Sequence, residues 1–168
     1  MSQTSVIEQG DARIGLLADS SLRDIVSFAA ETALPFGRFV ARGTKPTEQC
    51  KLPAAAGDIT DAKKGLGVVI ASQTVEVPLD STADPQYPQY RNVPVLTFGR
   101  VWVLTESAST DTTKSVYVRH AVAGALNQLG AFSDAAGAGL EELSNAKWWG
   151  ADQVIDGKRL ALLQLRLT

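Results

Sequence analysis

Apolar and polar positions alternate most regularly along Pro94–Glu106, where Val101, Val103 and Thr105 fall on one side and Trp102, Leu104 and Glu106 on the other. A period of two over β-branched residues predicts a strand with two differently dressed faces. The same period returns at the end of the chain, where Ala161, Leu163, Leu165 and Leu167 alternate with Leu160, Leu162, Gln164 and Arg166. The first set reads as the core face, and a terminal strand that apolar should be paired in a sheet. Further strands are expected over Arg38–Arg42, Leu66–Ala71 and Ser115–Val122. In the last of these Val116, Val118 and His120 share one side, and Tyr117, Arg119 and Ala121 the other.

Ser20–Ala33 fits two patterns. Leu22, Ile25, Val26 and Ala29 suit helical spacing, and Ser21 with Asp24 resembles a capping box. A strand through Asp24–Ala30 is favoured, because Leu34-Pro35-Phe36-Gly37 would turn it directly into the next strand. The phrase Phe36-Gly37-Arg38-Phe39-Val40 is echoed at Phe98-Gly99-Arg100-Val101-Trp102-Val103. Such an echo suits either an internal repeat or two unrelated strands entered through Gly turns.

Between the strands, Lys51–Gly65 reads as a loop with one short turn of helix. Pro78–Pro94 holds prolines at 78, 85, 88 and 94, which argues against regular structure across it. A loop that long in a compact domain points to function or disorder, and Tyr87 and Tyr90 within it suit either an interface or packing on their own barrel. Ser107–Lys114 reads as a turn, Gly124–Gly139 as small-residue and turn-rich, and Asp156-Gly157 as another turn. Residues 1–13 are polar apart from Val6 and Ile7 and read as an extended arm ahead of a single β-rich domain over 14–168. The expected fold is mainly β, a compact barrel- or sandwich-like domain of short antiparallel strands with long loops.

Composition narrows the function. The chain has 168 residues, 14 Gly, 7 Pro and a formal net charge of −2 from 16 basic and 18 acidic residues. That balance argues against nucleic acid as the main partner. No apolar run approaches the ~20 residues that span a bilayer, and the N-terminus lacks a signal-peptide pattern, so no membrane partner and synthesis in the cytoplasm are expected. Cys50 stands alone and forms no intramolecular disulfide.

Catalytic chemistry is poorly provided for. His120 is the only histidine, and no GxSxG, HExxH, CxxC or P-loop motif is present. Cys50, between Gln49 and Lys51, reads as a loop thiol in polar surroundings, its pKa somewhat lowered by Lys51. Asp58 with Asp61, and Asp80 with Asp84, read as solvated loop acids rather than Ca²⁺ ligands. No catalytic, cofactor or metal site is expected. Trp148-Trp149 is more informative: on a strand the two rings point to opposite faces, so one enters the core while the other needs a second partner. Trp102 belongs to an interface only if its face lies outside the barrel.

Several motifs together resemble one family. They are Ser27–Glu31 (SFAAE), Leu34–Gly43 (LPFGRFVARG), Lys51–Pro53, Leu66–Ile70 (LGVVI), Val95–Val103 (VLTFGRVWV), Asn145–Gly150 (NAKWWG) and Asp156–Leu165 (DGKRLALLQL), with Thr105–Leu143 unmatched. In this order they are similar to the capsid cement, or head decoration, proteins of tailed bacteriophages. The resemblance implies a non-enzymatic structural protein of the virion. It would bind the outer surface of an icosahedral shell, contact the major capsid protein, and staple neighbouring capsomers against internal DNA pressure. It also implies a homo-oligomer, with a trimer favoured over a dimer. The candidate interface residues are Val6, Ile7, Tyr87, Tyr90, Arg100, Trp102, Trp148 and Trp149. A carbohydrate- or host-surface-binding module of the virion is the competing expectation, since exposed Trp and Tyr also stack on sugars; an enzyme using His120 with Cys50 or an Asp ranks third.

Overall fold

A 13-residue strand, Asn92–Leu104, organises the structure, a computed structural model that describes residues 13–18, 23–72, 84–107, 110–122, 128–150, 152–155 and 157–166. In chain order the elements are β1 (Asp24–Ala30), β2 (Leu34–Pro35), β3 (Phe39–Arg42), β4 (Gln49–Lys51), α1 (Gly57–Thr60), β5 (Gly65–Val69), β6 (Gln86–Tyr87) and β7 (Asn92–Leu104). They continue with β8 (Tyr117–Arg119), β9 (Phe132–Ser133), β10 (Leu140–Glu142), β11 (Ala146–Trp148), β12 (Gln153–Ile155) and β13 (Lys158–Leu165). Asp24–Ala30 is thus a strand, and a helical turn, α1, falls inside the 51–65 loop as expected.

Strand pairing closes a five-stranded barrel. β1 pairs β4, β4 pairs β3, β3 pairs β5, β5 pairs β7, and β7 returns to β1. All these pairs are antiparallel except β1 with β4, which is parallel. Closure removes the free edges that an open sheet of such short strands would expose. The barrel is filled from every strand: Phe28 and Ala30, Val40, Cys50, Val69, and Val93 with Val95 form one buried cluster. Leu34, Phe36 and Tyr87 join it from the small β2–β6 sheet, where Leu34 faces Tyr87.

β7 then leaves the barrel. Its first half lies between β1 and β5, while Gly99–Leu104 pairs antiparallel with β13, Gly99 opposite Leu165 and Leu104 opposite Leu160. Near the exchange of partners the register slips by one residue, between Asp24 opposite Phe98 and Ile25 opposite Leu96. Gly99 there holds φ +132°, a backbone state that side chains disfavour. The bulge changes which parity faces which core. Leu96 before it and Val101 and Val103 after it all point into a larger cluster with Phe39, Val116, Val118, Phe132, Trp148, Ala161, Leu163 and Leu165. Trp102 and Leu104 face the other way, into a third cluster with Ala131, Leu160 and Leu162. Gly99 therefore lies within one continuous strand, whereas Gly37, at φ +67°, sits in the turn before β3.

The β10–β8–β9 sheet closes over the larger cluster, with Val118 opposite Phe132 and Glu141. Pro94 is a correction to the expected irregular loop, since β6 and the first residues of β7 lie inside 84–94. Its ring is tolerated because its carbonyl accepts from Ile70 N–H just past the end of β5. The donor that proline lacks would fall at the ladder's last rung.

Candidate functional site

Candidate residues divide by where the folded chain puts them. Tyr87 is buried against Phe36, ring centroids 5.0 Å apart, and its hydroxyl donates to Ile70 O at 3.0 Å. Its own barrel occupies the ring. Trp102 is buried in the third cluster, covered by Ile14. The strand-like stretch beside β7 places that cover: Gly15 N–H donates to Trp102 O and Trp102 N–H to Leu16 O. Trp148 enters the larger core, edge-on to Phe132, with Nε1–H donating to Ser115 O. All three side chains are buried within this chain, against the exposure expected of interface residues. Val6 and Ile7 lie outside the described residues.

Tyr90 and Trp149 remain at the surface, 73% and 42% exposed. Tyr90 holds φ +65°, the only non-glycine positive φ among the described residues, at the turn between β6 and β7. Its N–H donates to Ala30 O, so the backbone is pinned while the ring projects. Trp149 follows from the pleat: Trp148 goes in, so its neighbour goes out. The Arg100 guanidinium carbon lies 3.8 Å from the Trp149 ring centroid, and Lys147 Nζ 4.4 Å. Partial burial first, then repulsion from Arg166 and Arg100, holds the Lys147 ammonium below the usual lysine value. Arg100 thus belongs with Trp149, across two strands that sequence spacing alone does not connect.

The remaining polar groups hold elements together. Arg38, 2% exposed, bonds Asp84 at 3.1 Å and Leu129 O, and Asp84 also meets Lys158. Burial pulls the Arg38 guanidinium below its ordinary value, and Asp84 opposes that. Arg119 Nε donates to both Glu106 oxygens at 2.8 Å. Asp58 accepts from Ala54 N–H, so Asp58 and Asp84 are partly or fully buried rather than solvated. Cys50 is likewise not in polar surroundings. It lies inside the barrel, where burial, with a smaller contribution from Glu31, pushes its thiol up to about 12. A thiol held protonated there is a poor nucleophile. His120 sits just past β8, its N–H on Gly139 O, with no acid or nucleophile bonded to its ring among the described residues. No group of three or more metal-ligating side chains occurs among the described residues.

Residues 2–166 match the family model of the phage structural cement protein. The chain belongs to that family. It is accordingly a structural protein of the virion capsid, in a family of structural proteins rather than of enzymes. The cement protein's fold is similar to a chain from the capsid of Myoviridae phage XM1, with a TM-score of 0.67 at 18% identity. The match covers 99% of this chain and 97% of that one. A search of curated proteins gave no match. The 105–143 segment, which the motifs left unmatched, falls inside the family match and supplies β8, β9 and β10.

Proposed function

We propose that this cement protein binds the outer surface of an assembled icosahedral shell, contacts the major capsid protein, and staples neighbouring capsomers against the pressure of packaged DNA. The observation that carries the reading is Trp149, held at the surface by the same pleat that buries Trp148. A rigid, projecting aromatic gives contact area at little entropic cost, at roughly 25 cal/mol per Å² of apolar surface covered. Tyr90 and the partly exposed Ile25 and Val26 of β1 add to it.

A clamp works by area spread over several subunits. Several copies joined as an oligomer, a trimer in preference to a dimer, would dock cooperatively, because the first contact raises the effective concentration of the rest. Residues 1–13, with Val6 and Ile7, would add a further contact. Co-sedimentation with expanded shells tests this: Trp149→Ala and removal of residues 1–13 should each lower occupancy, and decorated shells should lose DNA at a higher temperature than bare ones. Equal release temperatures for decorated and bare shells would sink the stapling role. The sugar-binding alternative is weakened by Arg100, which covers the ring on which a sugar would stack.

A further inference from the structure

One face of the β7–β13–β11 sheet changes character along its length. Register puts Leu104 opposite Leu160, then Trp102 opposite Leu162, then Arg100 opposite Gln164. On the far side of β13, Lys147 of β11 also faces Gln164. Arg100, Gln164 and Lys147 thus form one row across three strands. The period of two adds Arg166 beyond Gln164 on this face, and Trp149 beside Lys147, its N–H bonded to Leu162 O. The face runs from buried leucines, under a projecting indole, to a cluster of three cations.

Lys147 is crowded by like charges. Lys147 feels both Arg166 and Arg100 as repulsive neighbours. Among the described residues no carboxylate pairs with Lys147 or Arg166, whereas Arg38, Arg119, Lys158 and Arg159 each have one. In a chain of net charge −2, Lys147 and Arg166 are thus positive charges that no described carboxylate meets. Charge complementarity asks for an anion, and geometry restricts its kind. The Trp149 ring is flanked by Arg100 and Lys147 and so is not open for a nucleobase to stack on, while the overall negative charge repels a polyanion. A few carboxylates on a protein loop meet both conditions.

Building on the cement reading above, we propose that Lys147 and Arg166, with Trp149 as the apolar anchor beside them, form the contact that receives an acidic, carboxylate-bearing loop of the shell surface. Trp149 supplies covered area and fixes the Lys147 ammonium; the two cations supply orientation and attraction. Rim charges of this kind act chiefly on association rate and salt dependence.

The test titrates the full chain onto expanded shells at low and high salt. It compares the parent with Lys147→Glu/Arg166→Glu, with the milder Lys147→Gln/Arg166→Gln, and with Trp149→Ala, each checked for parent-like circular dichroism and melting. At low salt the charge-reversed chain should bind about tenfold more weakly and the neutral one by an intermediate amount, both with a flatter salt dependence than the parent. Parent-like affinity and salt dependence in either folded charge variant, with Trp149→Ala still weakened, would overturn the acidic-loop contact and leave the cement reading standing. Binding of a DNA oligonucleotide that the same charge variants abolish would overturn it in favour of nucleic acid. A parent chain that does not bind expanded shells would overturn both.

Discussion

Replacing Gly67 by alanine tests the closed barrel directly. Gly67 lies in β5, and a Cβ there would stand 2.0 Å from Leu96 O and 2.9 Å from Leu96 C, both backbone atoms of β7. Real Cβ contacts do not fall below 3.0 Å, so the two strands must part by about 1 Å. Strands in a sheet are only ~4.8 Å apart, and a closed barrel has no edge along which to relax. Overpacking of this kind costs roughly 1–3 kcal/mol. The rungs Val68 opposite Leu96 and Val69 opposite Val95 are the ones disturbed, at roughly 0.5–1.5 kcal/mol per weakened hydrogen bond. The expected loss is about 2–5 kcal/mol, a large share of the ~5–15 kcal/mol that a domain has in all. At this chain length that lowers the melting temperature by roughly 5–15 °C. The control is Gly57→Ala at the start of α1, where a Cβ meets only Lys64 Nζ at 4.0 Å. There the substitution should stabilise by about 0.4–1 kcal/mol by restricting the unfolded chain. Calorimetry of both variants against the parent decides. A Gly67→Ala melting temperature within about a degree of the parent's would refute the close approach of β5 and β7.

Three further outcomes follow from the interior and its rim. Cys50 should resist alkylation by iodoacetamide in the folded protein at pH 8 and react fully in denaturant, because burial holds its thiol at about 12. Glu31 accepts from Thr44 N–H at 2.7 Å and Thr44 Oγ1–H at 2.8 Å, and these bonds hold its carboxyl below the ordinary 4.5. A depressed folded value means the stabilisation is present above pH ~4.5 and is lost as pH falls through the folded value, so Glu31→Gln should flatten the acid limb of denaturant-measured stability. Leu163→Ala removes a fully buried side chain from the larger cluster and should cost about 2–5 kcal/mol by chemical denaturation, whereas Val154→Ala, 59% exposed, should change stability by less than about 0.5 kcal/mol.

The elements that alternation made legible are those with one face in a large core. β7 and β13 are where the period of two placed them, β1 is where the turn after it placed it, and Trp148 and Trp149 diverge as the pleat requires. What the sequence hid was set by distant partners. Tyr87 reads as a loop aromatic because the Phe36 that buries it lies far back in the chain. Cys50 reads as polar because its flanking residues, Gln49 and Lys51, point out of the barrel wall while it points in. A three-residue strand is too short for alternation to stand out. Closure of the barrel rests on β1 meeting β4 in parallel over two rungs, a pairing with no local signature. The Arg100–Trp149 contact needed β13 as the spacer between two strands. The glycine of the FGR echo was visible, but only the partners on each side of it reveal that one copy turns the chain and the other re-aims a strand.

That re-aimed strand has a mechanical consequence. At ~3.3 Å per residue, the 13 residues of β7 run about 43 Å as one covalent strap. Its first half is clasped on both sides by barrel strands, and its second half reaches the outer sheet beside Arg100. Tension pulling the outer sheet away along the strap does not peel hydrogen bonds one at a time. It loads the rungs to β1 and β5 together, in shear, so that the ladder resists as a set. The register slip between Leu96 and Phe98, just ahead of Gly99, interrupts the ladder to β1, so a load along the strap would first be taken up there.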